Sequence, residues 1–543
     1  MSGRSGRPRR RSLAADPDID RALEAMTAPE LRAAVRAAIG ALDEETRAST
    51  IDLFVARATK GPAGFRPGRP FHRLVEQAQS FVEAASHLGY ADPADATEYL
   101  RGAMKAFLAG DHVGARAVFE VILIPMAGAE IDLGQHELVE EVLGIDAHIC
   151  VAQYVASVYT TTPLPERAAA VLAAIEHAQG LSSLLSPIKD MEEVSAGALP
   201  DLSAFLPLWV KRLRRFKPST DEWESDQERW LREAVSRSDG VHGLERLARS
   251  TKRPQACLAW CQALADQGDW PAALRAYETA ARLVGSSHWR GRLLDGAALG
   301  AQELRRTDLP ARLENAWRVD PTLTRLLRWL VARGDAPALA RATAKKALAR
   351  CPKKAGRQMG LLRALVGDVA GAAALLSKAS GLGWSDPNHP GHTVFPLLAM
   401  LLSKGATGDA LTAELDASAR DVLESTALAD DERRPTLRTP SAGALVRAVR
   451  SSLTVSAAGA DTAIKAMRAA AEKRVEGILG NSRRRHYGHA AVLVASCVAC
   501  APKGQHAEAA RWAGEIRQRY WRRHAFRQEL AKAFDVLGVR EVA

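Results

Sequence analysis

Apolar residues recur at three- and four-residue steps along most of the chain, the spacing that lines one face of an α-helix. In "PELRAAVRAAIGAL", Leu31, Val35, Ala38 and Leu42 fall on one such stripe. "TPLPERAAAVLAAIEHA" opens with prolines, which suit a first helical turn and not an interior. No convincing alternating run is present, so no strand is expected. Start and stop signals divide the helical text. Lys217-Pro218 ends one helix. Ser219 or Asp221 would cap the next, because each has a glutamate three residues on, Glu222 and Glu224. A second break is "ADDERRPTLRTPSAG", polar and twice interrupted by proline. These signals predict a flexible arm over 1–16, a helical domain over 17–215, a repeat domain over 216–428, a linker over 429–443 and a helical domain over 444–543.

A faint internal repeat sharpens this picture. "GDHVGARAVF" begins at Gly110, "GDWPAALRAY" at Gly268, "GDVAGAAALL" at Gly367 and "GQHAEAARWA" at Gly504. Alanine follows five positions on, at Ala115, Ala273, Ala372 and Ala509. Phe119, Tyr277, Leu376 and Ala513 follow at nine. Glycine reverses the chain between antiparallel helices, and the small alanine lets them approach closely. The pattern resembles the second helix of a tetratricopeptide (TPR) repeat, with "ACLAWCQALADQGDWPAALRAYETAARLV" the best copy. The copies are irregularly spaced, whereas a strict array recurs about every 34 residues. The expected fold is all-α, an irregular helical-hairpin, TPR- or HEAT-like solenoid in two or three segments. Such stacks present long surfaces to partners.

Composition agrees with a helical globular protein. The chain has 543 residues, 47% hydrophobic and 5% aromatic, long enough for a large core. No apolar run approaches the roughly 20 residues that cross a bilayer. The opening "MSGRSGRPRRRS" is basic with no apolar stretch behind it, so a cytoplasmic protein is expected. Six scattered cysteines fit that compartment. The formal charge of +11 is concentrated. Arg4, Arg7, Arg9, Arg10 and Arg11 sit on the arm without an acid. Further clusters are "WVKRLRRFK" and "RWAGEIRQRYWRRHAFR". The second is read as one helix in which six arginines face one glutamate and are interleaved with Trp512, Tyr520, Trp521 and Phe526. Such faces bind phosphate backbones or simply solvate a helix.

Candidate chemistry is sparse. The phosphate-binding patterns GxxxxGK[ST] and GxGxxG and the hydrolase elbow GxSxG are missing. "HELVE", from His136, has Glu140 where a zinc protease needs a second histidine. "SPIK", Ser186 to Lys189, matches SxxK without a companion KTG. Cys257 and Cys261, and Cys497 and Cys500, have the spacing for a Cys₄ zinc site. They lie in apolar helical runs and read better as small buried residues. His486 and His489 beside Arg483, Arg484 and Arg485 suit an anion contact or a solvated helix start.

The stretch "GWSDPNHPGHTVFP" holds the remaining candidates, Trp384, Asp386, His389 and His392. As a metal site it offers three ligands and no evident fourth. As a turn, Asp386 caps its own backbone, Pro387 and Pro390 fix φ, and a histidine bonds a carbonyl. "HTVFPLLAMLL" then begins the next helix with Pro396 in its first turn. An ordered turn is the preferred reading, with a partner contact through Trp384 or His392 as the other.

"GWSDPNHPGHTVFPLLAMLL" together with "RRRHYGHAAVLVASCVACAPKGQHAEAARWAGEIRQRYWRRHAFRQEL" resembles the C-terminal arm of bacterial proteins that carry a SWIM zinc finger. The matching residues of the basic ending are Arg517, Arg519, Tyr520, Arg522, Arg523, Ala525, Phe526, Glu529 and Leu530, and the resemblance covers about residues 360–540. A SWIM finger needs CxC followed by CxH, and this chain has neither, so no zinc site carries over. What the resemblance implies is an all-helical scaffold. The expected function is therefore a non-enzymatic scaffold for protein–protein interaction, with no cofactor, no metal and no membrane. The alternative is nucleic-acid association through Arg9, Arg10 and Arg11 and through Arg517, Arg519, Tyr520, Trp521, Arg522 and Arg523.

Overall fold

The computed structural model describes Arg21 and residues 23–539, apart from 62–63, 69–72, 135–138, 140–141, 220–222, 335, 387, 403–415, 417–433, 451–452 and 503. The arm with Arg9, Arg10 and Arg11, and "HELVE" save Val139, lie outside the described residues. Among the described residues every regular element is helical and no strand occurs.

The repeat glycines show why the chain folds into hairpins. Gly110, Gly268, Gly367 and Gly504 have φ of 86°, 76°, 90° and 93°, the left-handed region that a Cβ disfavours. In the first three copies the following aspartate N–H reaches back across the turn. Asp111 donates to the Ala106 carbonyl at 2.9 Å, Asp269 to Leu264 at 3.1 Å and Asp368 to Arg363 at 2.8 Å. This Schellman closure satisfies carbonyls at the end of one helix. The same aspartates cap the next helix, accepting from the N–H groups of Gly114 at 3.0 Å, Ala272 at 3.0 Å and Gly371 at 2.8 Å. Gln505 replaces the aspartate in the fourth copy and makes no cap bond. Ala115, Ala273, Ala372 and Ala509 are all 0% exposed, and Phe119, Tyr277, Leu376 and Ala513 are buried behind them. Close helix approach at the alanine follows from its size.

Two units form, residues 1–243 and 244–543. The boundary falls within the helical segment Asp226–Thr251, which is broken into two helices at Gly240, with φ 56° and ψ −142°. The segment's cap is Ser225 and not Ser219, whereas Asp221 and Glu222 lie outside the described residues. The Ser225 N–H donates to Glu228 at 3.0 Å and the Glu228 N–H to Ser225 Oγ at 3.3 Å. This reciprocal pair repeats the expected pattern four residues nearer Trp230, the first buried residue of the helix.

In the first unit, helices Pro93–Leu108, His112–Ala127, Ala147–Thr161 and Leu164–Ala178 pack successively. Their core continues through Tyr159, Phe205, Trp209 and Trp230, with ring centroids 4.9, 5.8 and 6.4 Å apart in turn. Trp209 is thus core, not an exposed partner of the "KRLRRFK" arginines. The helix Ala28–Gly40 forms, with Glu30 accepting from the Thr27 N–H at 2.8 Å, but its stripe is not buried.

In the second unit, helices from Pro254–Asp266 to Val369–Lys378 each pack on their sequence neighbours. The result is an irregular helical-hairpin, TPR-like solenoid. One core runs from Ala298 to Phe534 and includes helices Gly391–Leu402, Ala457–Gly480, Tyr487–Ala499 and His524–Val536. The described part of the polar segment before residue 443 is bonded to this unit. Arg434 pairs with Asp266 at 2.8 Å, and the Gln302 amide bonds the backbone of Thr436 and Arg438 at 3.0 and 2.9 Å.

Candidate functional site

The turn before helix Gly391–Leu402 is built by its own residues. Gly383 takes φ 77°, and Asp386 Oδ1 accepts from the Asn388 N–H at 2.6 Å, an Asx turn. Helix Gly391–Leu402 starts earlier than expected, so Pro396 falls in its second turn. Gly391 is required sterically, because a Cβ there would overlap the indole of Trp384.

Arg357, on helix Gly356–Leu365, clamps the turn. It donates to the carbonyls of Trp384 at 2.9 Å, Asp386 at 2.8 Å and His389 at 3.1 Å. A single guanidinium thus satisfies three backbone acceptors. His389 is held by both ring nitrogens. The Gly391 N–H donates to Nδ1 at 3.0 Å, and Nε2 lies 3.1 Å from the Ser380 carbonyl. Nδ1 accepts, so Nε2 carries the proton and the ring is neutral. Burial pushes its pKa down, as do Arg357, His392 and Arg474, against the Ser380 bond.

Trp384 is the hub, 1% exposed. His389 stacks on it at 5.7 Å, and His392 and His489 meet it edge-on at 5.4 and 5.2 Å. Arg474, on helix Ala457–Gly480, lies over its ring at 5.2 Å. His392 and His489 are 5.1 Å apart. The indole N–H donates to the Ser380 carbonyl at 3.3 Å. Asp386 is exposed, and His389 and His392 are half-buried. The cluster is a packed aromatic box that joins four helices. Trp384 leaves no face for a partner, and among the described residues no three His, Cys, Asp or Glu side chains are grouped to hold a metal ion.

His489, Arg474 and Arg357 complete this box and were not assigned to it from sequence. The "RRRHYGHAA" signal marks His489, yet nothing local ties it to Trp384. Cys257, Cys261, Cys497 and Cys500 are buried free thiols, and burial pushes Cys257 up to about 11 and Cys500 up to about 12.

The basic ending is not one helix. Helix His506–Arg519 stops, residues 520–523 turn, and helix His524–Val536 follows. The reversal lets Phe526 and Leu530 bury against the core, with Phe526 edge-on to Tyr487 at 6.1 Å. The turn exposes Trp521 by 56%, and Arg522 lies over its ring at 4.9 Å. Arg519 and Arg522 are exposed, while Arg517, Tyr520 and Arg523 are partly covered.

No family model matches the chain. No curated protein matches it either. Among solved structures, one titled "Structure of Naa15/Naa10 bound to HypK-THB" aligns at 14% identity with a TM-score of 0.28 over 82% of this chain. The alignment spans 63% of that chain. Among the described residues no helix is long and apolar enough to cross a membrane.

Proposed function

We propose that this protein is a non-enzymatic helical-repeat scaffold that holds a protein partner. The observation that carries the reading is the recurrent Gly-Asp hairpin, which stacks helices on their sequence neighbours. The resemblance to the helical arm of SWIM proteins, without the finger, supports the same reading. The consumption of both His389 nitrogens and of Asp386 Oδ1 by backbone bonds supports a structural turn over a metal or catalytic one. The test is affinity purification of the full chain from its native host, with nuclease present and about 200 mM salt. A scaffold returns one defined protein in fixed stoichiometry. Recovery of the chain alone, at every salt concentration, overturns the reading.

A second reading has its own observation. Trp521, exposed with Arg522 stacked on it and Arg519 nearby, forms a small cationic platform suited to a nucleobase and its phosphates. Titration with a single-stranded oligonucleotide at about 50 and about 200 mM salt tests it. Phosphate-driven binding weakens steeply over that range. Trp521→Ala should weaken it at both, and salt-independent or absent binding removes this reading.

A further inference from the structure

The strongest unassigned feature lies far from the Trp384 turn in sequence, on the best-formed repeat hairpins. Helices Trp270–Leu283, Ser287–Glu303 and Leu309–Val319 pack in series and leave a groove of about 550 Å³ between them. That volume falls within the range of ligand-binding clefts. Its apolar part is formed by Ala281, Leu294, Ala297 and Val319. Its charged part is Glu278, Arg282, Arg290 and Arg312.

These charges do not cancel. Arg312 donates to Glu278 at 2.5 Å and to Asp308 at 3.0 Å, so the lining's own carboxylate is taken. Arg306 and Arg312 together hold the Asp308 carboxyl down at about 2, and this pairing stays ionised at neutral pH. Arg282 donates to the Thr279 hydroxyl at 3.2 Å, a neutral partner. Arg290 donates to the Val284 carbonyl at 3.1 Å, again neutral, and its Nε is shut off from water with no hydrogen-bond partner among the described residues. Two guanidiniums therefore line the groove with no carboxylate paired to either among the described residues. Arg290 is also anchored at the end of one helix, which reduces the entropy lost when it binds. Asn315, exposed on the same wall, supplies an amide donor and acceptor for a peptide backbone.

We propose that this groove binds an acidic, leucine-bearing peptide segment of a partner protein, with carboxylates on Arg282 and Arg290 and an apolar side chain on Leu294 and Ala297. The proposal rests on the scaffold reading and names the chemistry of the partner. Charge complementarity selects the occupant. A guanidinium takes a carboxylate in two parallel bonds. The apolar floor has no use for a phosphodiester chain, and the lining holds no aromatic ring on which a base would stack. Glu278 would also stand against a run of phosphates.

The experiment uses the purified full chain and a fluorescein-labelled synthetic peptide of alternating Glu and Leu, followed by anisotropy. Saturable binding is expected, and Arg282→Glu with Arg290→Glu should raise Kd by at least about tenfold. Arg282→Glu alone, at an exposed helix end, should raise it several-fold and guards against misfolding of the double variant. Arg275→Glu is the charge control. It is exposed on the same helix, outside the groove, and should leave Kd unchanged. Absence of saturable binding overturns the proposal. So does an equal loss in the Arg275 variant, which would make the attraction a general charge effect. Equal competition by an oligonucleotide of matched charge assigns the groove to nucleic acid instead. The double variant is also carried through the native-host purification. A partner retained at full stoichiometry leaves the scaffold standing and removes the groove, whereas a wild-type chain recovered alone removes both.

Discussion

Replacing Trp384 with alanine tests whether "GWSDPNHPGHTVFP" is a structural joint. The indole is 1% exposed, and truncating a buried Trp to Ala costs about 3–5 kcal/mol. Part of that is the lost cation–π contact with Arg474 at 5.2 Å, about 0.5–2 kcal/mol. The N–H to Ser380 at 3.3 Å adds about 0.5–1.5 kcal/mol. These terms overlap, so the expected total stays at about 3–5 kcal/mol. The assay is denaturant unfolding by far-UV circular dichroism with linear extrapolation. It is paired with hydrogen exchange of the amides in helix Gly391–Leu402, which should lose protection first. A double-mutant cycle isolates the contact. Gly391→Ala overlaps the indole in the wild-type background and should destabilise there. With Trp384 already removed, its penalty should shrink or reverse, since alanine favours a helix over glycine by about 1 kcal/mol. A Trp384→Ala loss below about 1 kcal/mol, or an unchanged Gly391→Ala penalty in the double variant, would refute the reasoning.

The other predictions concern separate features. Gly268→Ala meets nothing within van der Waals range, so its cost of about 1–2 kcal/mol is the left-handed φ of 76° alone, read by denaturant midpoint. Arg325 is buried between Asp295 at 2.7 Å and Asp320, and Arg325→Met leaves the buried Asp295 on its longer 3.5 Å pairing with Arg328; a loss of about 3–5 kcal/mol is expected in the same assay. His389 is neutral with a folded pKa below the usual 6.5, so the unfolded chain takes up the proton first as pH falls. Its contribution is complete above about 6.5 and is lost below that value. The stability difference between wild type and His389→Gln, measured across pH 5–8, should narrow on the acid side.

The helical hairpins were readable because their causes are local. A glycine at a helix end, an aspartate after it and an alanine five residues on act within one turn and its two flanking helices. The cap of Asp226–Thr251 was displaced because Ser-x-x-Glu patterns crowd that segment, and only burial of Trp230 selects among them. The break at residues 520–523 has no glycine or proline to announce it. It exists because Phe526 must turn back to reach Tyr487. The stripe of Leu31, Val35, Ala38 and Leu42 predicted its helix correctly and said nothing of burial, which depends on what lies opposite.

The candidate turn divides the same way. Its Asx bond, its left-handed glycine and its prolines are short-range and stand in the sequence. The convergence of Arg357, Arg474 and His489 on Trp384 is not, because these residues come from three helices that are distant from Trp384 along the chain. The same holds for the groove, where two arginines that meet no carboxylate among the described residues matter only because Arg312 has already taken Glu278. Sequence by itself determined the all-α class and the turns marked by a glycine, an aspartate cap or a proline, since backbone conformation and capping act over a few residues. Tertiary structure alone decided which side chains meet, which charges are left over and which rings are hidden, because burial and pairing are properties of neighbours in space.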